Sequence, residues 1–228
     1  MFRSVIKVTH RYDAESTRAE IIRVAMDLFL TKGYDKTTIK DIVSQLEGLS
    51  KGAVYHHFKS KEAIVDEVIR LMLPKYESMQ EISENQKLSG LEKMRNLLLL
   101  GMFEEGRDQS AKKIAPLMDN QTLLLKHLKQ TQLIFTPYIE RFIIEGNKDG
   151  SLTVEYPREM AELALFILNT WYMPSFYSHL AEHLVEKIKA TQLVLRQMGM
   201  DILSDAIFQQ IMAKLISQEQ VNNEKKEE

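Results

Sequence analysis

Three times in the first 92 residues a threonine or serine is followed three positions later by an acid and then by apolar residues at helical spacing. The pairs are Thr17 with Glu20, Thr38 with Asp41, and Ser89 with Glu92. In such a pair the hydroxyl accepts from a free N–H at a helix start while the carboxylate reaches back to the capping residue. This signature commits the chain to helices. No stretch shows the apolar–polar alternation of a half-buried strand. Nine glycines and five prolines in 228 residues are too few to punctuate a many-stranded fold. The expected fold class is all-α. Cysteine is absent, which excludes a disulfide scaffold, thiolate metal ligands and a cysteine nucleophile. No glycine-rich phosphate loop occurs, and the residues imply no cofactor.

The first 60 residues divide into short helices. Residues 17–32 carry Ile21, Ala25, Leu28 and Phe29 on one stripe, with Gly33 placed to end the helix in a left-handed conformation. Thr38 opens a helix over 39–46 that turns Ile39, Ile42, Val43 and Leu46 inward. Glu47-Gly48-Leu49 makes a turn, and Ser50 caps a third helix over 51–57. Two short helices joined by a tight, glycine-containing turn form a helix-turn-helix. Val54 and Phe58, four apart, face inward, so Lys51, Tyr55 and His56 face outward. All three side chains donate hydrogen bonds to phosphates or base edges. Gly52 and Ala53 keep the first turn slim enough to approach a surface. Charge supports the same reading. Residues 1–61 hold eleven Lys and Arg against seven acids, a net +4, which leaves −6 for the remainder. A basic head on an acidic body directs a polyanion to one end.

These residues resemble the DNA-binding domain of the tetracycline-repressor (TetR) family. The likeness runs from Thr17 to about Ile69 through Ala25-Met26-Asp27-Leu28-Phe29, Lys32-Gly33-Tyr34, Thr37-Thr38-Ile39-Lys40-Asp41-Ile42, and Ser50 through Glu62. Two departures stand out. The segment between Ile42 and Ser50 is one residue longer than the usual family turn, which implies a slight shift of the third helix. Ala53 stands where the family often has Thr, and its methyl suits a thymine methyl better than a phosphate. Carried over residue by residue, the resemblance implies double-stranded DNA as partner, contacted by Thr38, Lys51, Gly52, Ala53, Tyr55, His56, His57 and Lys61. Tyr55, His57 and Lys61 are expected at phosphates; Lys51, Ala53 and His56 are expected at bases. Residues 1–16 form an extension with Arg3, Lys7, His10 and Arg11. A frayed terminus is its preferred reading, and a basic arm in the minor groove its alternative.

The body continues the helical pattern. Helices are expected over 61–83 with a kink at Pro74, 90–107, 114–118, 120–145 with a kink near Pro137, 158–173 and 180–198. A last helix, capped by Asp201, is expected to reach Ser217. Residues 218–228 are polar and expected to be disordered. The domain plan is therefore an extension (1–16), a helix-turn-helix DNA-binding domain (17–60), a helical ligand-binding and dimerisation domain (61–217) and a tail. Residues 161–171 and the stripe Ile202, Ile207, Phe208, Ile211, Met212 and Leu215 are too apolar to stay uncovered. The resemblance implies that they meet in a homodimer built from two late helices of each subunit. Methionines and aromatics gather in the middle of the body. From these and nearby polar groups, Met102, Phe103, His127, Tyr138, Asn169, Trp171 and Tyr172 are the expected lining of a pocket for a small apolar or amphipathic effector.

Two other readings compete. His179-Leu180-Ala181-Glu182-His183 is an inverted zinc-peptidase pattern, with two histidines on one helix face and Glu182 as general base. A third ligand is missing, and a solvated helix face is the preferred reading, so an enzyme is not expected. The head could also bind an acidic protein as a helical interaction module. Residues 163–181 lack Asp, Glu, Lys and Arg, but Asn169, Pro174 and His179 make them a buried or interface helix rather than a membrane span. No signal-peptide-like run occurs near the N-terminus, so the expected location is cytoplasmic. The expectation as a whole is a DNA-binding transcriptional regulator, specifically a ligand-relieved repressor on a palindromic operator.

Overall fold

The computed structural model describes residues 14–104, 113–173 and 182–227. Among them every regular element is helical. In chain order these are α1 (Ala14–Lys32), α2 (Ile39–Ser44), α3 (Lys51–His57), α4 (Lys61–Arg70), α5 (Tyr76–Glu84) and α6 (Gly90–Phe103). A 3-10 turn (Ala115–Asp119) precedes α7 (Gln121–Asp149), α8 (Pro157–Thr170), α9 (Leu184–Gln197) and α10 (Asp205–Glu227). The chain divides after Arg70 into two compact units. The division lies ten residues beyond the expected one, because α4 packs in the first unit. Its Ile64, Val65, Val68 and Ile69 are buried, and Arg18 of α1 pairs with its Glu67 at 2.8 Å.

In the first unit, α1 buries Ile21, Ile22, Val24, Ala25, Met26 and Phe29. This is a wide stripe that only helical periodicity can align. Gly33, at φ +88°, ends the helix, a backbone state that costs a glycine nothing. Thr17 is not the cap the sequence suggests. The helix starts earlier, at Ala14, so Thr17 lies inside it and is buried. Glu20 takes two nitrogens of Arg23 instead. The box at Thr38 forms as expected: Thr38 N–H donates to Asp41 Oδ2 at 2.7 Å, and Asp41 N–H donates to Thr38 Oγ1 at 3.2 Å. Lys32 and then Thr38 hold the Asp41 carboxyl well below the usual carboxylate range. Ser50 caps α3 by accepting from Ala53 N–H at 3.1 Å.

In the second unit, α6, α7 and α8 surround a core that includes Met94, Leu97, Phe135, Ile139, Phe142, Ile143, Ala161 and Leu165. The box at Ser89 forms as expected, and Asp149 Oδ2 also receives Gly90 N–H at 2.8 Å. Gly90 is required there, because a Cβ would collide with the backbone of Phe142 and Gly146. Lys93 is buried, donating to Glu145 at 2.7 Å and to the Ser83 carbonyl at 3.0 Å. Burial pushes the Glu145 carboxyl up, but hydrogen bonds from Lys93 and Arg141 outweigh it and leave the group below its ordinary range.

Four boundaries differ from expectation. Pro74 breaks the expected 61–83 helix into α4 and α5 rather than kinking it, since it donates no N–H and drives Leu73 out of the helical region. The helix α7 runs through Pro137, as the expected helix does, but ends at Asp149 rather than at Glu145. Asp201 does not cap α10. Its carboxylate pairs with Arg196 at 3.2 Å, and Ser204 precedes the helix, with its carbonyl accepting from Phe208 N–H at 2.8 Å. The backbone of α10 runs helically to Glu227 where a disordered tail was expected. No helix among the described residues is long and apolar enough to cross a membrane.

Candidate functional site

The helix α3 is anchored by its two inward residues. Val54 is fully buried and Phe58, its C-cap, nearly so. The Phe58 ring carries the Arg18 guanidinium 5.1 Å from its centroid. With that face fixed, Lys51, Gly52, Tyr55 and His56 are exposed, and Ala53 and His57 are half-buried. Lys51 Nζ sits 5.7 Å from the centre of the Tyr55 ring. Lys59 Nζ lies 3.5 Å from the Tyr55 carbonyl, which places a second cation beside the same tyrosine. The rings of His56 and His57 meet edge to face at 5.6 Å. A Cβ on Gly52 would meet only Ser50 Oγ, at 3.7 Å, so the fold does not demand glycine there. Six of the eight expected DNA-contact residues thus share one short helix, with donors and small residues interleaved.

The other two are engaged within the fold. Lys61 Nζ donates to the carbonyls of Tyr34 at 2.9 Å and Thr37 at 3.0 Å. It also lies 4.2 Å from the Tyr34 ring centre. An ammonium has three donors, and these neighbours absorb them. Lys61 therefore ties the start of α4 to the turn before α2. Thr38 likewise gives its N–H and its hydroxyl hydrogen to Asp41, both at 2.7 Å. It holds α2 in place and has no donor left for a phosphate. The box between Thr38 and Asp41 was legible in the sequence, whereas the commitment of Lys61 was not, because its partners lie 24 and 27 residues away.

The second unit contains a cavity of about 300 Å³ between α6, α7 and α8. Of the expected lining, Met102, His127 and Asn169 face it. The other four do not. Phe103 is turned to a separate hollow, where Lys214 Nζ lies 5.0 Å from its ring centre. Tyr138 donates its hydroxyl to Gln80 Oε1 at 3.1 Å. Trp171 carries the Lys187 ammonium 4.2 Å from its ring centre and borders a different hollow, between α8 and α9. Tyr172 donates to Thr191 Oγ1 at 2.7 Å. The lining residues missed include Met72, Leu73 and Pro74, which follow α4 directly, and Thr131, which with His127, Phe135 and Ile139 forms an i, i+4 stripe along α7. That stripe was the signal available in the sequence. His127 is 8% exposed and its Nδ1 has no hydrogen-bond partner. Burial lowers its basicity.

The hollow between α8 and α9, about 630 Å³, is lined by Leu128, Phe166, Ile167, Thr170, Trp171, Ala190, Thr191 and Val194. Leu163, Phe166, Leu193 and Val194 remain exposed on these two helices. Of the zinc pattern, His179 lies outside the described residues, and Glu182 and His183 are exposed. No group of three or more His, Asp or Glu suited to a metal occurs among the described residues.

Comparison with known proteins agrees with the geometry of the head. A sequence profile described as "Bacterial regulatory proteins, tetR family" matches residues 21–68, which span the second half of α1 through most of α4. The HTH-type transcriptional repressor KstR2 of Rhodococcus jostii is 32% identical over 69% of this chain and 80% of its own length. The HTH-type transcriptional regulator TtgR of Pseudomonas putida is 30% identical over 68% of this chain and 77% of its own. Among solved structures, a TetR-family regulator from Syntrophomonas wolfei matches with a TM-score of 0.62 at 21% identity, covering 85% of this chain and all of that one. The resemblance thus extends beyond the head into the helical body, and the chain belongs to the TetR family of DNA-binding transcriptional regulators.

Proposed function

We propose that the protein is a ligand-relieved repressor that binds a palindromic operator as a homodimer and acts in the cytoplasm. The observation that carries this reading is the outward face of α3, where Lys51, Gly52, Ala53, Tyr55, His56 and His57 project from a helix pinned by Val54 and Phe58. In this reading Lys51, Ala53 and His56 meet base edges, and Tyr55, His57 and Lys59 meet phosphates. Thr38 and Lys61 position the helix. Two copies related by a two-fold axis place their α3 helices in successive major grooves, about 34–36 Å apart.

The apolar exposure on α8 and α9 supports the dimer. Phe166 is 59% and Leu193 60% exposed, and a patch of this kind is stable only when covered. The expected stripe on the last helix is covered within the chain, where Ile202 and Ile211 are buried in the core and Ile207, Phe208, Met212 and Leu215 pack against it, so the four-helix contact that the family resemblance implies falls in this reading to α8 and α9.

The cavity between α6, α7 and α8 is the effector site in this reading, for a small apolar or amphipathic molecule. Covalent continuity supports a coupling, since α4 ends at Arg70 and Met72, Leu73 and Pro74 line the cavity. A ligand that prefers a state with altered α3 spacing works against DNA binding, by about 1.4 kcal/mol for each tenfold preference. The repressor names of KstR2 relatives favour repression over activation.

Footprinting on genomic fragments, including DNA beside the protein's own gene, tests the reading. A protected palindrome is expected. Absence of any protected site at low salt would overturn it.

A further inference from the structure

The proposed effector cavity has a chemical signature of its own. Among the described residues lining it there is no Lys, Arg, Asp or Glu. A charged ligand entering it would leave its hydration shell and find no counter-charge. The polar lining side chains are His127, Thr131 and Asn169. Two of them have already spent a hydrogen on their own helices: Thr131 Oγ1 donates to the His127 carbonyl at 2.9 Å, and Asn169 Nδ2 donates to the Leu165 carbonyl at 2.9 Å. Thr131 is left with oxygen lone pairs, and Asn169 with its amide oxygen and one N–H. His127 differs from both. The residue is more than nine-tenths buried, and Nδ1 has no partner in the fold. A buried imidazole nitrogen ordinarily has one, and with no carboxylate beside it nothing in the lining stabilises the protonated ring. The polar end of the cavity is thus an uncharged site that both donates and accepts, set in a hydrocarbon wall of Leu97, Leu98, Phe135, Leu165 and adaptable methionines.

We propose that the effector is an uncharged, mainly apolar alcohol or phenol whose hydroxyl hydrogen-bonds to the His127 imidazole, with its hydrocarbon body along α6 and α8. The inference rests on the reading of this cavity as the effector site. A hydroxyl suits the site because it both donates and accepts without a charge, and so pairs with either tautomer of the ring. An anion meets no cationic side chain in the lining. A volume of about 300 Å³ stands at the small end of ligand pockets, which limits the body to roughly ten to fifteen carbon atoms.

Calorimetric titration of the full chain, without DNA, tests this with probes of matched size. They are 1-decanol, its isomer 1-methoxynonane (which cannot donate), decanoate and 4-hexylphenol. The expected result is that 1-decanol, 4-hexylphenol or both bind at least tenfold more tightly than 1-methoxynonane and decanoate. Tight binding by only one hydroxyl probe identifies the body as chain or ring and supports the proposal. In His127→Leu the preference for 1-decanol over 1-methoxynonane should collapse to within twofold, with binding of the ether retained. Equal binding of 1-decanol and its isomer by the wild-type chain, tightest binding by decanoate, or no binding by any probe would overturn the proposal without need of the variant. Release of protected DNA is read separately. Selective alcohol binding that leaves the protein on DNA defeats ligand relief and leaves the chemistry of the cavity standing. Release driven by decanoate defeats the alcohol and leaves ligand relief standing.

Discussion

Lys61 shows how little a side chain's type says about its duty. A lysine just past a recognition helix is well placed for a phosphate, yet its ammonium is held by the carbonyls of Tyr34 and Thr37 and the ring of Tyr34. Lys61→Met should therefore lower the stability of the first unit, by about 2 kcal/mol given the strength of charge-assisted hydrogen bonds. It should leave the salt dependence of DNA affinity nearly unchanged once measured well below the melting temperature. A drop of about one in the slope of log affinity against log salt, with an unchanged melt, would restore Lys61 to the phosphates. Tyr55→Ala and Lys51→Ala should separate in the other direction. The first should weaken binding to all sequences alike, and the second should relax preference at one base position by about 1–3 kcal/mol. Identical profiles of the two variants across an operator library would refute the division of contacts. His127 adds a pH dependence. Burial holds its basicity below the ordinary value of about 6.5, so the unfolded chain takes up the proton first. Its contribution to stability is complete above about pH 6.5 and is lost as the pH falls below it. The gap in melting temperature between pH 7.5 and 5.5 should shrink in His127→Leu, and an unchanged gap would refute the assignment.

At the scale of elements, local signals and packing divide the work. The boxes at Thr38 and Ser89 are complete within four residues, and both helices start where the sequence places them. The pair Thr17 and Glu20 has the same letters but no box, because α1 begins a turn earlier and buries Thr17. Pro74 could be read as a kink or a break; α5 and α6 pack closely enough to make it a break, with Ser78 and the Lys75 N–H both bonded to Glu104. The crossing of α6 and α7 depends on the absence of a side chain at Gly90, where a Cβ would meet the α7 backbone at Phe142 and Gly146. Gly90→Ala should cost about 3 kcal/mol, since backbone has to move to admit a methyl. A denaturant midpoint unchanged from wild type would contradict that crossing.

At the scale of the whole molecule, α8 and α9 together leave Leu163, Phe166, Leu193 and Val194 exposed among the described residues. Phe166→Asp should reduce the particle in sedimentation to the mass of one chain. It should also weaken binding to a full palindrome by at least a hundredfold while affecting a single half-site little. A dimer that persists in this variant would move the interface elsewhere. The membership of the chain in its family, its helical class and the outward set on α3 were legible from residues alone. The lining of the cavity was legible only in part. Met102, His127 and Asn169 were anticipated, whereas Phe103, Tyr138, Trp171 and Tyr172 are turned away, each by a partner on another element or a later turn.

Helix starts, glycine stops and the faces of short helices were decided by the sequence itself, because each depends on hydrogen bonds and side-chain spacing within one or two turns of chain. Tertiary structure alone decided which donors remain available and which large side chains meet empty space. Those outcomes depend on atoms brought together from distant parts of the chain. The carbonyls that claim Lys61 and the helices that enclose His127 acquire their positions only when the core closes.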